Sequence, residues 1–136
     1  MQKCKYLEEL GIKTENYGTN FIPDDDPRQE RWAKEREEYG FDSRECWNLD
    51  QTFIEWIYTR VKKYKQYACV NLDYHKIDYK GGEITQGQAI DKILELAEEI
   101  LVGNGVMNHG LSDEVWHDNS REICDIWKEV LPCMWW

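Results

Sequence analysis

The chain has 136 residues, a formal net charge of −10, 32% charged and 41% hydrophobic residues, and seven Trp. That length suits one domain with a core large enough to fold without disulfides or metal, and the balance is that of a folded chain rather than a disordered one. The acidity argues against general binding to a nucleic acid backbone, which demands Lys and Arg, and the longest aliphatic run, Ile100-Leu101-Val102, is too short to span a bilayer.

Residues 1–27 read as a loop-rich N-terminal segment. Tyr6, Leu7 and Leu10, with Ile12 beyond, predict one short helical turn before Gly11, and Gly18 to Pro27 reads as loop. Met1 to Leu10 has no apolar signal core, so a cytoplasmic protein of the bacterial cell is expected. Asp26 before Pro27 is a helix start, a capping carboxylate followed by Pro at the first helical position. Residues 28–39 then form a short charged helix anchored by Trp32 and Tyr39, and Gly40 ends it.

Asp42 with Glu45, and Asn48 with Gln51, have capping-box spacing. Residues 43–68 carry the strongest helical signal, with Leu49, Phe53, Trp56, Ile57, Val61 and Tyr64 at steps of three and four. Arg60, Lys62, Lys63 and Lys65 crowd its end, where cations suit the helix dipole; a phosphate patch is the alternative. Tyr74, Ile77, Tyr79 and Ile84 around Lys80-Gly81-Gly82 predict a small β-hairpin over residues 74–84. Thr85 with Gln88 is a third capping box. It opens a helix on which Ile90, Ile93, Leu94, Ala97, Ile100 and Leu101 make an apolar stripe that Gly103 should terminate. Ser112 is placed to cap a last helix carrying Trp116, Ile123, Ile126, Trp127, Val130 and Leu131, stopped by Pro132. The fold class is therefore mainly α, a helical domain over residues 28–136 with three to four helices and one hairpin.

Five Cys with no CxxC pair speak against a disulfide framework. Cys69, Cys124 and Cys133 sit beside apolar or aromatic residues and are expected to be buried thiols. Trp47, Trp56, Trp116 and Trp127 are expected in the core. Trp135 and Trp136 either fold back onto that core, the favoured reading, or form an exposed hot spot for a partner.

The charge is uneven. Residues 83–136 hold three Lys and Arg against eleven Asp and Glu, while residues 46–82 hold six against four. Asp91, Glu95 and Glu99 are spaced i, i+4; so are Glu114, Asp118 and Glu122, and Asp125 with Glu129. Like charges at that spacing repel by roughly 0.2–0.5 kcal/mol per pair, so helix stability alone does not favour them. Four helical residues rise about 6 Å, which gives a carboxylate row a spacing on the scale of a phosphate backbone. The row is read either as a surface for a basic partner or as a solvated face that keeps the chain soluble.

Catalytic motifs are missing from the sequence. Lys80-Gly81-Gly82 is not a phosphate loop, and no nucleophile elbow occurs. Glu114 with His117 is one Glu-x-x-His where a di-metal bundle needs two, and His109, His117 and Cys124 have no standard zinc spacing. His75, between Tyr74 and Lys76, reads as a packing or surface residue. No cofactor, metal or catalytic residue is expected, and the chain reads as a non-enzyme.

Residues 40–66, from Gly40-Phe41-Asp42 through Trp47-Asn48-Leu49-Asp50 to the aromatic helix with a basic end, carry a family pattern. So do His75-Lys76-Ile77-Asp78-Tyr79-Lys80-Gly81, Thr85-Gln86 and the Leu131-to-Trp136 ending. In these the chain resembles a loose group of small acidic proteins encoded by phages and prophages of gut bacteria. The resemblance spans residues 28–101 and the ending, and the group brings no activity with it. It implies a phage setting, in which small acidic accessory proteins often inhibit host defence machinery, CRISPR effector nucleases among their targets.

The leading expectation is a non-enzymatic anti-defence inhibitor. It would bind a basic host protein, such as a nucleic-acid-binding nuclease, through Asp91, Glu95, Glu99, Glu114, Asp118, Glu122, Asp125, Trp135 and Trp136. Direct nucleic acid or membrane binding is not expected. Two alternatives stay open. One is a sponge for a nucleotide signal that uses Lys62, Lys63, Lys65 and Tyr64. The other is a phage assembly protein whose self-association buries Trp135 and Trp136.

Overall fold

Among the described residues of the computed structural model (4–12, 25–47, 49–105 and 113–135), six α-helices and one two-stranded hairpin form. In chain order they are α1 (Lys5–Glu9), α2 (Arg28–Tyr39), α3 (Arg44–Trp47), α4 (Leu49–Tyr67), β1 (Lys76–Tyr79), β2 (Gly82–Thr85), α5 (Gln86–Gly105) and α6 (Asp113–Val130), with a 3-10 turn over Leu131–Cys133. The mainly helical class with a small hairpin is the one its periodicity predicts. The chain divides into two compact units, Met1–Phe53 and Ile54–Trp136, so the division falls inside α4 and the expected boundary at residue 27 lies within the first unit. Asn48, His109, Ser112 and Trp136 lie outside the described residues, as does most of the expected loop from Gly18.

The first unit is organised by charge around one aromatic ring. The Asp26 carboxylate accepts the Arg28 amide at 2.9 Å and pairs with its guanidinium at the start of α2, while Pro27, expected at the first helical position, is the residue that precedes the helix. Gly40 ends α2 in the left-handed region, at φ 80°, where a glycine meets no steric penalty. Trp32 is buried, with the Trp47 ring edge-on at 5.9 Å and the Arg44 guanidinium 4.6 Å from its ring centroid. Asp42 is fully buried and pairs with both Arg36 and Arg44, the latter through Nε at 2.9 Å and Nη2 at 2.7 Å. Glu45, read as the reciprocal half of a capping box with Asp42, pairs instead with Arg36 at 3.3 Å.

The second unit is built on α5. Ile90, Ile93, Ala97, Ile100 and Leu101 are fully buried, and they are five of the six residues in its expected stripe. The hairpin registers Ile77 against Ile84, with Ile77 buried. Its turn places Lys80 at φ 49° and Gly81 at φ 78°, the paired left-handed residues that match the strand twist. The capping box that joins hairpin to helix is complete. Thr85 Oγ1 accepts the Gln88 amide at 3.0 Å, and Gln88 Oε1 accepts the Thr85 amide at 2.9 Å. On α6, Ile123, Ile126 and Val130 are buried and pack toward α5.

Several expectations need correction. α5 runs through Gly103 to Gly105, because a helical glycine costs only about 1 kcal/mol and the burial of Ile100 and Leu101 outweighs it. On α4 the buried set is Ile54, Ile57, Tyr58 and Val61, with Glu55 and Thr59 buried beside them. Leu49, Phe53 and Trp56 form a separate stripe on the exposed side, with Trp56 46% exposed, and Trp47 on α3 is 50% exposed rather than core. Cys69 and Cys124 are exposed and Cys133 half-buried. Cys124 is one residue past Ile123, which turns it about 100° away from the buried arc of α6. Leu131 is half exposed, because the chain leaves α6 for the 3-10 turn there.

Ile93→Ala should lower stability by about 2–5 kcal/mol, the range for a large-to-small change in a packed core. Leu131→Ala should stay within about 0.5 kcal/mol. Urea denaturation of both variants checks this; equal losses would place the core elsewhere.

Candidate functional site

With its apolar face buried, α5 turns Asp91, Glu95, Glu98, Glu99 and Val102 outward, all exposed. Glu95, Glu98, Glu99 and Val102 line an open, shallow groove. On α6, Glu114, Asp118, Asp125 and Glu129 are exposed and Glu122 is half-buried. The period of the helix causes this, since i, i+4 carboxylates fall on the arc opposite the i, i+3, i+4, i+7 apolar stripe.

The neighbours of each carboxylate set how strongly it is held. Glu99 accepts a hydrogen bond from Asn119 Nδ2 at 2.9 Å, which ties the α5 row to α6. Glu98 accepts one from the Tyr58 hydroxyl at 3.2 Å on the α4 side. Asp91 pairs with Lys65, Glu95 with Lys92 at 3.4 Å and Asp125 with Lys128 at 3.7 Å. Glu122 is clamped to the hairpin by the Tyr79 hydroxyl and by Lys80 at 3.1 Å. The Tyr79 hydrogen bond is the main cause holding its carboxyl below the usual range. Glu114 and Asp118 have no ion pair among the described residues. Exposed pairs of this kind contribute roughly 0–1 kcal/mol.

The basic end of α4 does not converge on one point. Lys62 Nζ donates to the Tyr58 hydroxyl at 2.9 Å, Lys63 lies 3.9 Å from the Tyr67 ring centroid, and Lys65 turns to Asp91. Tyr64 donates its hydroxyl to the Trp135 carbonyl at 3.0 Å. Trp135 itself is 61% exposed, against the favoured expectation of core packing. Its main chain is fixed by that bond, while its ring stands at the edge of a small cleft with Tyr74 and His75. Glu114 and His117 are both exposed on α6.

Two buried groups escaped the sequence reading. Gln86, at the first position of α5, is fully buried and donates from Nε2 to the Cys133 carbonyl at 3.1 Å and the Tyr64 hydroxyl at 3.3 Å. Glu55 on α4 is buried, and desolvation raises its carboxyl from 4.5 to about 8. Its only sequence signal is position: Glu55 and Thr59 flank the Ile54–Tyr58 side of the helix. In unit one, burial would raise the Asp42 carboxyl, but hydrogen bonds from Arg44 and Arg36 outweigh it and hold the group below the ordinary carboxylate range. No helix is long and apolar enough to cross a membrane among the described residues. No family model, curated protein or solved structure matches this chain.

Glu55 makes a pH prediction with a definite sign. Its folded value is raised, so between about pH 4.5 and 8 the folded chain holds a proton that the unfolded chain releases. Stability should fall as pH rises across that window, by at most about 1.4 kcal/mol per pH unit, and flatten above it. Glu55→Gln should remove that component. Parallel stability profiles for the two proteins in urea melts across the window would contradict it.

Proposed function

We propose that this chain is a non-catalytic inhibitor carried by a phage or prophage, acting in the bacterial cytoplasm by docking a basic host protein on the acidic face of α5 and α6. The carrying observation is the carboxylate row itself: Asp91, Glu95, Glu98 and Glu99 outward on α5, with Glu114, Asp118 and Asp125 exposed on α6. Repulsion within the rows disfavours them for stability, and a cationic surface relieves it. The partner class is a nucleic-acid-binding protein of host defence, a CRISPR effector nuclease being the type, because its basic groove is shaped for regularly spaced anions. Inhibition then needs no chemistry, only occupancy of that groove. The phage setting rests on the family resemblance of residues 28–101. The nucleotide-sponge reading has less support, because Lys62, Lys63 and Lys65 turn to different neighbours and do not converge on one point.

The test is affinity capture from a bacterial lysate with the wild type and with Glu95→Lys, Asp118→Lys together. Both residues are exposed, so the double variant should fold. A basic nucleic-acid-binding protein should be retained by the wild type at low salt, released at high salt and lost from the variant. Salt-independent capture, or equal retention by the variant, contradicts the proposal.

A further inference from the structure

The cleft beside Trp135 has a volume of about 240 Å³ and is lined by Val70, Asn71, Tyr74, His75, Cys133 and Trp135. Its aromatic walls are presented to solvent, Tyr74 being 77% and Trp135 61% exposed. His75 stands between them, edge-to-face with Tyr74 at 5.1 Å and with Trp135 at 6.4 Å. Exposed rings normally fray, but the main chain beneath these is held. The buried Gln86 reaches both sides, its main-chain N–H donating to the His75 carbonyl at 2.9 Å and its Nε2 to the Cys133 carbonyl at 3.1 Å. The Tyr64 hydroxyl fixes the Trp135 carbonyl, and the Gly87 amide fixes the Leu72 carbonyl at 2.8 Å. A Cβ at Gly87 would come within 3.3 Å of the Leu72 Cβ, so this junction is close-packed.

We propose that this cleft takes an arginine side chain of the basic partner, seated against Trp135, Tyr74 and His75. The inference rests on the partner being basic. Two observations select a guanidinium. Ring faces attract cations through their quadrupole, and a planar guanidinium also stacks on them. Among the described residues no Lys or Arg lines the cleft, so nothing in its walls repels a cation, and the chain as a whole carries a net charge of −10. The cleft is thus the anchoring pocket, and the carboxylate rows supply the long-range attraction.

The test is an NMR titration with a capped Gly-Arg-Gly peptide, a capped tri-glycine control and adenosine. The wild type is compared with Trp135→Ala and Tyr74→Ala, whose sites are exposed enough to leave folding intact. The arginine peptide should shift the Trp135 indole and His75 ring resonances, tri-glycine should not, and each variant should weaken binding roughly five- to tenfold. Adenosine shifting those resonances more than arginine overturns the proposal. So do arginine shifts confined to α5 and α6, or no shifts at all. The peptide needs no host partner, so its failure is separate from that of the acidic-face reading. Peptide binding at Trp135 alongside undiminished capture by Glu95→Lys, Asp118→Lys would leave the cleft standing and remove the acidic face.

Discussion

Burial of one face of α5 is the constraint on which the second unit depends. Ile90, Ile93, Ala97, Ile100 and Leu101 are wholly withdrawn from water, each contributing an apolar side chain to a single core. The neighbours reach α5 along its edges: Tyr58 and Lys65 of α4 meet Glu98 and Asp91, and Asn119 of α6 meets Glu99. The hairpin is joined to its first turn through Thr85 and Gln88. A helix committed in this way has one arc left for solvent, and that arc is where its carboxylates lie. The same periodicity that makes the core therefore makes the acidic surface.

The first unit solves a different problem with different means. It has few aliphatic residues to bury, and its centre is Trp32, flanked by Trp47 and capped by the Arg44 guanidinium. The buried Asp42 joins the half-buried Arg36 and Arg44 in a network in which each charge is paired. Removing one member of such a network leaves an uncompensated charge, so the network specifies the local arrangement more than it adds net stability.

The legible parts of the fold were those in which one local signal sufficed. The stripe of α5, the Thr85–Gln88 box, the Asp26 start and the Gly40 stop are all set within a few residues. Position on α4 was less legible, because apolar residues occur on two of its arcs. Leu49, Phe53 and Trp56 obey the same spacing as Ile54, Ile57 and Val61, and spacing alone cannot choose the buried arc. The acidic rows were legible for the reason α5 was. The cleft was not, since Val70–His75 and Cys133–Trp135 are distant in sequence and meet through Gln86, a polar residue whose burial has no sequence signature. Glu55 was hidden in the same way: burial, not residue type, sets its protonation.

α5 and α6 bury one face in the core and, in the proposed function, present the other to a partner. Only the second depends on a partner. Amide hydrogen exchange on the free protein and on its complex with the captured partner separates them most directly. The account predicts added protection over residues 91–102 and 114–129, with residues 28–47 unchanged. Protection confined to residues 28–47, with α5 and α6 exchanging as in the free protein, would contradict it.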